Sequence, residues 1–317
     1  MGKKIFKLRI HVFSALLILL LTGLFSIVFT FSRAVGLFGI GAGSADSANG
    51  SNIRHEATML TAAMLDSSDI SRGSLILVNS ENPFTIPNDA DFVRLVETAT
   101  PSYMIDRDYM LICRTVIDPL NQMMDAFYAE SGLSNVTIRS SFRDHTRQQE
   151  LLDERTALVG LTEALRWVAY PGHSEHHTGL AFDFGIFDNG TVRTFTGTGA
   201  YSWFQENSYR FGFILRYDEG TEAITGVAFE PWHYRYVGLP HSYFIRQDGL
   251  TLEEYIELIR GLGTNEVVRR YFSGAMYEIF HTRETELTFP IGTDFSISGD
   301  NIDGFIVTVR LPHESVE

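Results

Sequence analysis

Ser174-Glu175-His176-His177-Thr178-Gly179-Leu180-Ala181-Phe182-Asp183, together with the later Glu230-Pro231-Trp232-His233, decides how this chain is read. From Leu180 the first stretch alternates. Leu180, Phe182 and Phe184 share one face of a strand, and Ala181 and Asp183 share the other, so the aspartate is carried on the face away from the core. The two stretches offer imidazoles, a carboxylate on a strand and a spare glutamate. Three protein ligands, an open position for water and a carboxylate base beside it make up a catalytic zinc site. If the two stretches meet in space, the chain is a metallohydrolase.

Within the set, His176, Asp183 and His233 are the candidate ligands. Adjacent side chains on an extended segment point apart, so His177 is read as a neighbour of the site and His176 as the ligand. His173 and His145 are weaker candidates. Gly179 is expected where the chain turns tightly into the strand. Glu230, three residues before His233, is the carboxylate left to move a proton from the attacking water to the leaving amine. Trp232 supplies an apolar wall that desolvates Glu230 and raises its pKa. Arg143, at the end of a strand, is placed to stabilise an oxyanion or to grip a substrate carboxylate. The chain has no HExxH helix, which excludes the usual zincin arrangement.

Outward from these stretches, the pattern is α+β. Strands are expected at Ser74–Asn79, Val136–Ser140, Leu180–Phe184, Phe213–Tyr217 and Gly226–Phe229, forming a central, mainly antiparallel sheet. Helices are expected over Asp106–Glu130, after an Asp144 cap, and over Trp203–Phe211 with Gly212 as its stop. Beyond Pro240 a helix at Leu252–Leu262 is followed by short strands at Met276–Phe280, Glu286–Phe289 and Phe305–Val309. They read as a small strand-rich appendage with no chemistry of its own.

Val12–Phe31 is an uncharged apolar run long enough to cross a bilayer. Lys3, Lys4, Lys7 and Arg9 precede it and only Arg33 follows closely, an orientation that leaves the first residues cytoplasmic and exports the rest. A cleaved signal peptide is the rival, with small residues at Ala42, Ser44 and Ala45. The expected organisation is a cytoplasmic stretch 1–9, a transmembrane helix 10–33, a tether or stalk 34–73, a zinc-peptidase domain 74–248, and a C-terminal helix and appendage 249–317. The expected location is the cell membrane, single-pass, with the domain outside and the lipid bilayer as a partner of the first helix. A net charge of −14 and the lack of any basic stripe argue against nucleic acid as a partner. The single cysteine, Cys113, lies among apolar residues and reads as a core thiol.

On these residues the chain resembles the VanY-type D-alanyl-D-alanine carboxypeptidases, zinc peptidases related to the VanX dipeptidases. The family pattern SxHxxGxAxD is met by Ser174, His176, Gly179, Ala181 and Asp183. The family's EPWH is met by Glu230–His233, and the segment Tyr209–Tyr217 is similar too. The resemblance spans roughly Ser74 to Pro240. It implies zinc on His176, Asp183 and His233, Glu230 as catalytic base, Arg143 as transition-state stabiliser, and Ser174 and Gln148, beside Trp232, as substrate contacts. It also implies the small zinc-peptidase fold shared with hedgehog-like and lysostaphin-like domains. The expected substrate is a peptidoglycan stem peptide or precursor ending in D-Ala. An L,D-carboxypeptidase or endopeptidase on wall peptides, or a wall-binding module without catalysis, are the alternatives. The family's usual SGYRS is Ser140-Ser141-Phe142-Arg143-Asp144 here, and its usual Gln is His177. These changes spare every catalytic group and alter the rim of the pocket.

Overall fold

The computed structural model describes residues 60–263 and 266–312. The apolar run Val12–Phe31 and most of the expected tether lie outside them. Among the described residues no helix is long and apolar enough to cross a membrane.

The alternation in the opening stretch resolves as a strand, Ala181–Asp188, at the centre of the main sheet. Leu180, Phe182 and Phe184 are buried against the core, so their face is fixed by apolar burial. Its neighbours are Val136–Ser140 on one side and His233–Tyr236 on the other, both antiparallel to it. Phe213–Leu215 extends the sheet beyond His233–Tyr236, and Met104–Ile105 runs parallel to Val136–Ser140 at the opposite edge. The helix Ile117–Ser131 covers the apolar face with Leu120, Met123, Met124 and Phe127, all fully buried. Asp144 caps the helix His145–Val159 by accepting the Arg147 N–H at 2.7 Å.

Several expectations need correction. The helix expected over Asp106–Glu130 begins only at Ile117, because Leu111–Cys113 is drawn into a strand pair with Phe92–Arg94. Trp203–Phe211 is an α-helical turn, Ser202–Asn207, followed by a 3-10 turn that stops at Gly212 in the left-handed conformation. Gly226–Phe229 is not a strand. A short helix, Glu222–Thr225, ends at Gly226, and a loop delivers Glu230. Part of the expected tether is ordered structure, since Leu60–Met64 pairs antiparallel with Glu286–Pro290.

Ser74–Asn79 is irregular, beginning in a turn, and joins no sheet. Its alternation serves two cores at once: Ile76 and Val78 enter the core of the main sheet, while Leu75 and Leu77 enter a second one. Its backbone is satisfied by other groups. The Leu75 N–H donates to Ser298 Oγ and the Leu77 N–H to the Asp300 carbonyl, and the Ser74 and Ile76 carbonyls accept from Arg235.

The second core also corrects the boundary drawn at residue 248. Phe244, Ile245, Leu252, Tyr255, Ile256 and Ile259 from the helices His241–Asp248 and Leu252–Arg260 pack with Ile279 and Ile306 of a four-stranded sheet. Leu75, Leu77, Ile214 and Val237 of the expected peptidase domain belong to the same cluster. The C-terminal segment therefore shares its core with the main sheet. Each such side chain, left in water, forfeits about 1.5–3 kcal/mol of burial. A chain ending at residue 248 should thus fail to give a stable domain. Its recovery in soluble form with an undiminished melting temperature, read by circular dichroism, is the result that contradicts the shared core.

Candidate metal centre and active site

Strand register builds the site. Asp183 and His233 are direct cross-strand partners, and Ser140 is the partner of Asp183 on the other side. His176 comes from the 3-10 turn Glu175–Thr178, closed by Gly179 at φ +68°. A Cβ at Gly179 would lie 2.6 Å from the Phe92 ring and 2.9 Å from the Cys113 nitrogen, so only glycine fits there. Glu230 returns to the site by a turn in which the His233 N–H donates to the Glu230 carbonyl at 3.2 Å. Donor atoms of His176, Asp183 and His233 all lie within 4.8 Å of one another.

Each imidazole is held so that one nitrogen is free. The Ser141 carbonyl can only accept, so His176 Nδ1 donates to it at 2.7 Å and the Nε2 lone pair faces Asp183 Oδ2 at 3.3 Å. His233 Nε2 donates to Glu175 Oε2 at 3.3 Å, which leaves Nδ1 facing Asp183 Oδ1 at 3.1 Å and Glu230 Oε2 at 3.7 Å. Asp183 Oδ1 is buried and has no hydrogen-bond partner. With His176 Nε2 and His233 Nδ1 unprotonated, lone pairs converge on one space, an arrangement that a cation completes.

The electrostatics agree with that reading. Burial works against a charged His233, yet Asp183, Glu175 and Glu230 raise it to about 9, so without a metal a proton is drawn into the cluster. Burial also opposes charge on Asp183, but His176 and His233 hold its carboxyl well below the usual range. Glu230 behaves differently. Burial, with Asp183 and Glu175 adding to it, pushes its carboxyl up to about 8 against the pull of His233 and Arg143.

Arg143, Asp183 and Trp232 line a cleft of about 900 Å³ with Ser140, Ser141 and Phe142. Arg143 donates to Gln148 Oε1 at 2.8 Å and to Ser140 Oγ at 2.9 Å, and one nitrogen lies 3.8 Å from Asp183 Oδ2. Gln148, expected to touch substrate, is buried beside Arg143. Its Nε2 donates to the Ala169 carbonyl at 2.7 Å, so one end of the amide is tied to the backbone and the other holds Arg143. Ser174 is also buried and is not among the residues lining the cleft. Trp232 stacks on Trp167 with ring centres 6.3 Å apart.

His177 is held on both nitrogens. Nδ1 donates to the Arg143 carbonyl at 2.6 Å, and Nε2 accepts from the Gly172 N–H at 3.0 Å. It braces the loop that carries Arg143. His173 donates to the Asn79 carbonyl at 2.9 Å, and His145 lies edge-on to His177.

Sequence reasoning missed Glu175, which lies inside the quoted stretch, and its partners Arg216 and Arg235. The apolar and aromatic neighbours of Arg216 in Phe213–Tyr217 and of Arg235 in His233–Val237 were the available signal: a charged residue among such neighbours calls for a partner if the segment is buried. A second group of donors, His281, Asp300 and Asp303, also lies within 4.8 Å. Its cation is already present. Arg260 pairs with Asp300 and, at 2.7 Å, with Asp303, while Asp300 Oδ1 accepts the N–H groups of Ile302, Asp303 and Gly304.

A buried two-histidine, one-aspartate cluster at the centre of a sheet, with a desolvated glutamate beside it and an arginine in the adjoining cleft, defines a metallopeptidase. The family model for VanY, D-alanyl-D-alanine carboxypeptidase, matches residues 111–239. The chain is 32% identical over 244 residues to a D-alanyl-D-alanine carboxypeptidase of Enterococcus faecium, covering 75% of each protein. It is 39% identical over 211 residues to one of Enterococcus faecalis, covering 63% of this chain and 71% of that protein. Its fold is similar to that of the vancomycin resistance D,D-dipeptidase VanXYg, crystallised with a D-Ala-D-Ala phosphinate analogue. The TM-score is 0.71 at 30% identity, over 80% of this chain and 100% of that one. The chain belongs to the VanY family of D-alanyl-D-alanine carboxypeptidases.

The raised Glu230 carboxyl sets a pH dependence for the metal-free protein. With its folded value near 8 and an ordinary value of 4.5, the folded chain keeps a proton that the unfolded chain has lost. That contribution is complete below the unfolded pKa and disappears as pH rises through the folded one, at about 1.4 kcal/mol per unit. Glu230→Gln, which keeps the neutral shape, should match the parent near pH 4 and melt higher near pH 8. Equal melting temperatures at pH 8 contradict the desolvation of this carboxyl.

Proposed function

We propose that this chain is a zinc-dependent D-alanyl-D-alanine carboxypeptidase that removes the terminal D-alanine from peptidoglycan stem peptides or their precursors. The observation that carries the reading is the meeting of His176, Asp183 and His233 with Glu230 left unligated beside them. Two neutral imidazole nitrogens and a carboxylate form the donor set that zinc accepts in hydrolytic sites. The unpartnered oxygen of Asp183 fits a cation there. When bound, zinc supplies Lewis acidity, making a water nucleophilic at neutral pH and polarising a carbonyl.

The chain's own residues supply the rest. Glu230, buried and 3.7 Å from His233 Nδ1, is placed to take a proton from the attacking water and return it to the departing amine. Arg143, with its guanidinium fixed by Gln148 and Ser140, donates to the carbonyl oxygen as negative charge develops on it. Trp232, stacked on Trp167, lines the cleft beside Arg143 and Asp183. The family to which the chain belongs, and the dipeptide analogue bound to the similar D,D-dipeptidase, support D-Ala-D-Ala as the recognised terminus. We also propose that residues 10–33 anchor the protein in the cell membrane with the peptidase outside, on the strength of the apolar run and the basic residues before it.

Release of D-alanine from a pentapeptide ending in D-Ala-D-Ala should be the main activity, with a tetrapeptide ending in a single D-Ala cut far more slowly. Cleavage of the tetrapeptide alone overturns the substrate assignment. Glu230→Ala should retain about one zinc per chain by atomic absorption and lose roughly 10²–10⁴-fold in kcat. Full activity in that variant removes Glu230 from the base role.

A further inference from the structure

Behind His233 a chain of buried ion pairs leads away from the cleft into the segment past residue 248. Glu175 Oε2 accepts from His233 Nε2, and Oε1 accepts from Arg216 Nε at 2.8 Å and from Arg235 Nη1 at 2.7 Å. Arg216 spends its other two nitrogens on Glu253, Nη1 on Oε2 at 2.8 Å and Nη2 on Oε1 at 2.6 Å. The side chains of Glu175, Arg216 and Arg235 have no exposure, and that of Glu253 is 13% exposed. Asn79 also donates to Glu253 Oε1, at 3.3 Å.

Glu253 is itself held firmly. It lies in the first turn of the helix Leu252–Arg260, which starts with a capping box between Thr251 and Glu254. Leu252, Tyr255, Ile256 and Ile259 seat that helix in the second core. The carboxylate is therefore presented by a packed element.

Formal charge makes the consequence plain. Two guanidiniums and two carboxylates cancel, so the cluster behind a neutral His233 carries no net charge. Without Glu253 the same cluster holds one excess positive charge, buried directly behind a ligand of a divalent cation. At low effective dielectric such a charge acts strongly over a few ångströms. Arg216 would also lose the partner that fixes its fork, and with it the seat of Glu175, which sets the tautomer and the ring angle of His233.

We propose that Glu253 is a positioning residue of the metal centre, acting through Arg216 and Glu175 to hold His233 and to neutralise the charge behind it. The C-terminal segment thereby contributes to metal affinity without entering the cleft. This rests on the metal reading given above.

The test is zinc affinity of the full-length chain, measured by competition with a chelating dye, alongside the melting temperature. Glu253→Gln, which keeps shape and removes charge, should weaken zinc binding by about 10–100-fold, the effect usual for partners of metal ligands. Glu253→Asp should stay within about threefold of the parent, since the charge is retained. Ile256→Val in the same helix should lower the melting temperature and leave zinc affinity unchanged. If Glu253→Gln does not fold, Arg216→Lys takes its place, because it breaks the fork joining the two carboxylates and should weaken zinc comparably. Parental zinc affinity in the folded Glu253→Gln or Arg216→Lys protein overturns the proposal. His233→Ala separates the two levels: zinc retained at parental affinity in that variant defeats the metal assignment itself, whereas zinc lost there but kept in Glu253→Gln defeats only the role of Glu253.

Discussion

A single buried carboxylate, Glu175, is the constraint on which the rest of the structure depends. Burial alone would drive it neutral, but Arg216 and Arg235 hold it ionised, well below the ordinary range. It in turn seats both guanidiniums and orients His233. Stripped of its partners, an ion in such a place costs several kcal/mol. The residues around it are therefore committed to one arrangement, and that arrangement includes the metal ligand.

The same network ties distant segments together. Arg235 reaches from Glu175 to the carbonyls of Ser74 and Ile76, pinning the segment that divides the two cores. Arg216 reaches the helix Leu252–Arg260 through Glu253. Apolar burial follows the same lines, with Leu75 and Leu77 on one side of the segment and Ile76 and Val78 on the other. The candidate active site and the C-terminal sheet are thus packed against one framework, which explains why the boundary at residue 248 is not a physical one.

On the cleft side the chemistry divides by environment. Asp183 and Glu230 are both carboxylates near His233, yet their pKa values move in opposite directions. Asp183 sits between two imidazoles and stays ionised. Glu230, buried and with Asp183 and Glu175 near, is pushed toward neutrality. Two carboxylates separated in this way suit two roles, one as a ligand and one as a carrier of protons.

The sequence by itself determined the α+β class, the strand carrying Asp183, the cap at Asp144 and the residues that converge on the site. These are legible because alternation, capping and spacing act over a few residues, and because a metal site needs particular residue types. Helix and strand limits near Asp106, Ser74 and Gly226 were not legible, since pairing and burial by remote segments override local pattern there. Only the tertiary structure decided that Gln148 holds Arg143, that His177 braces a loop, and that Glu175, Arg216, Arg235 and Glu253 stand behind His233. The reason is that a charge becomes structural by losing water and gaining a partner, and both depend on neighbours far away in the chain.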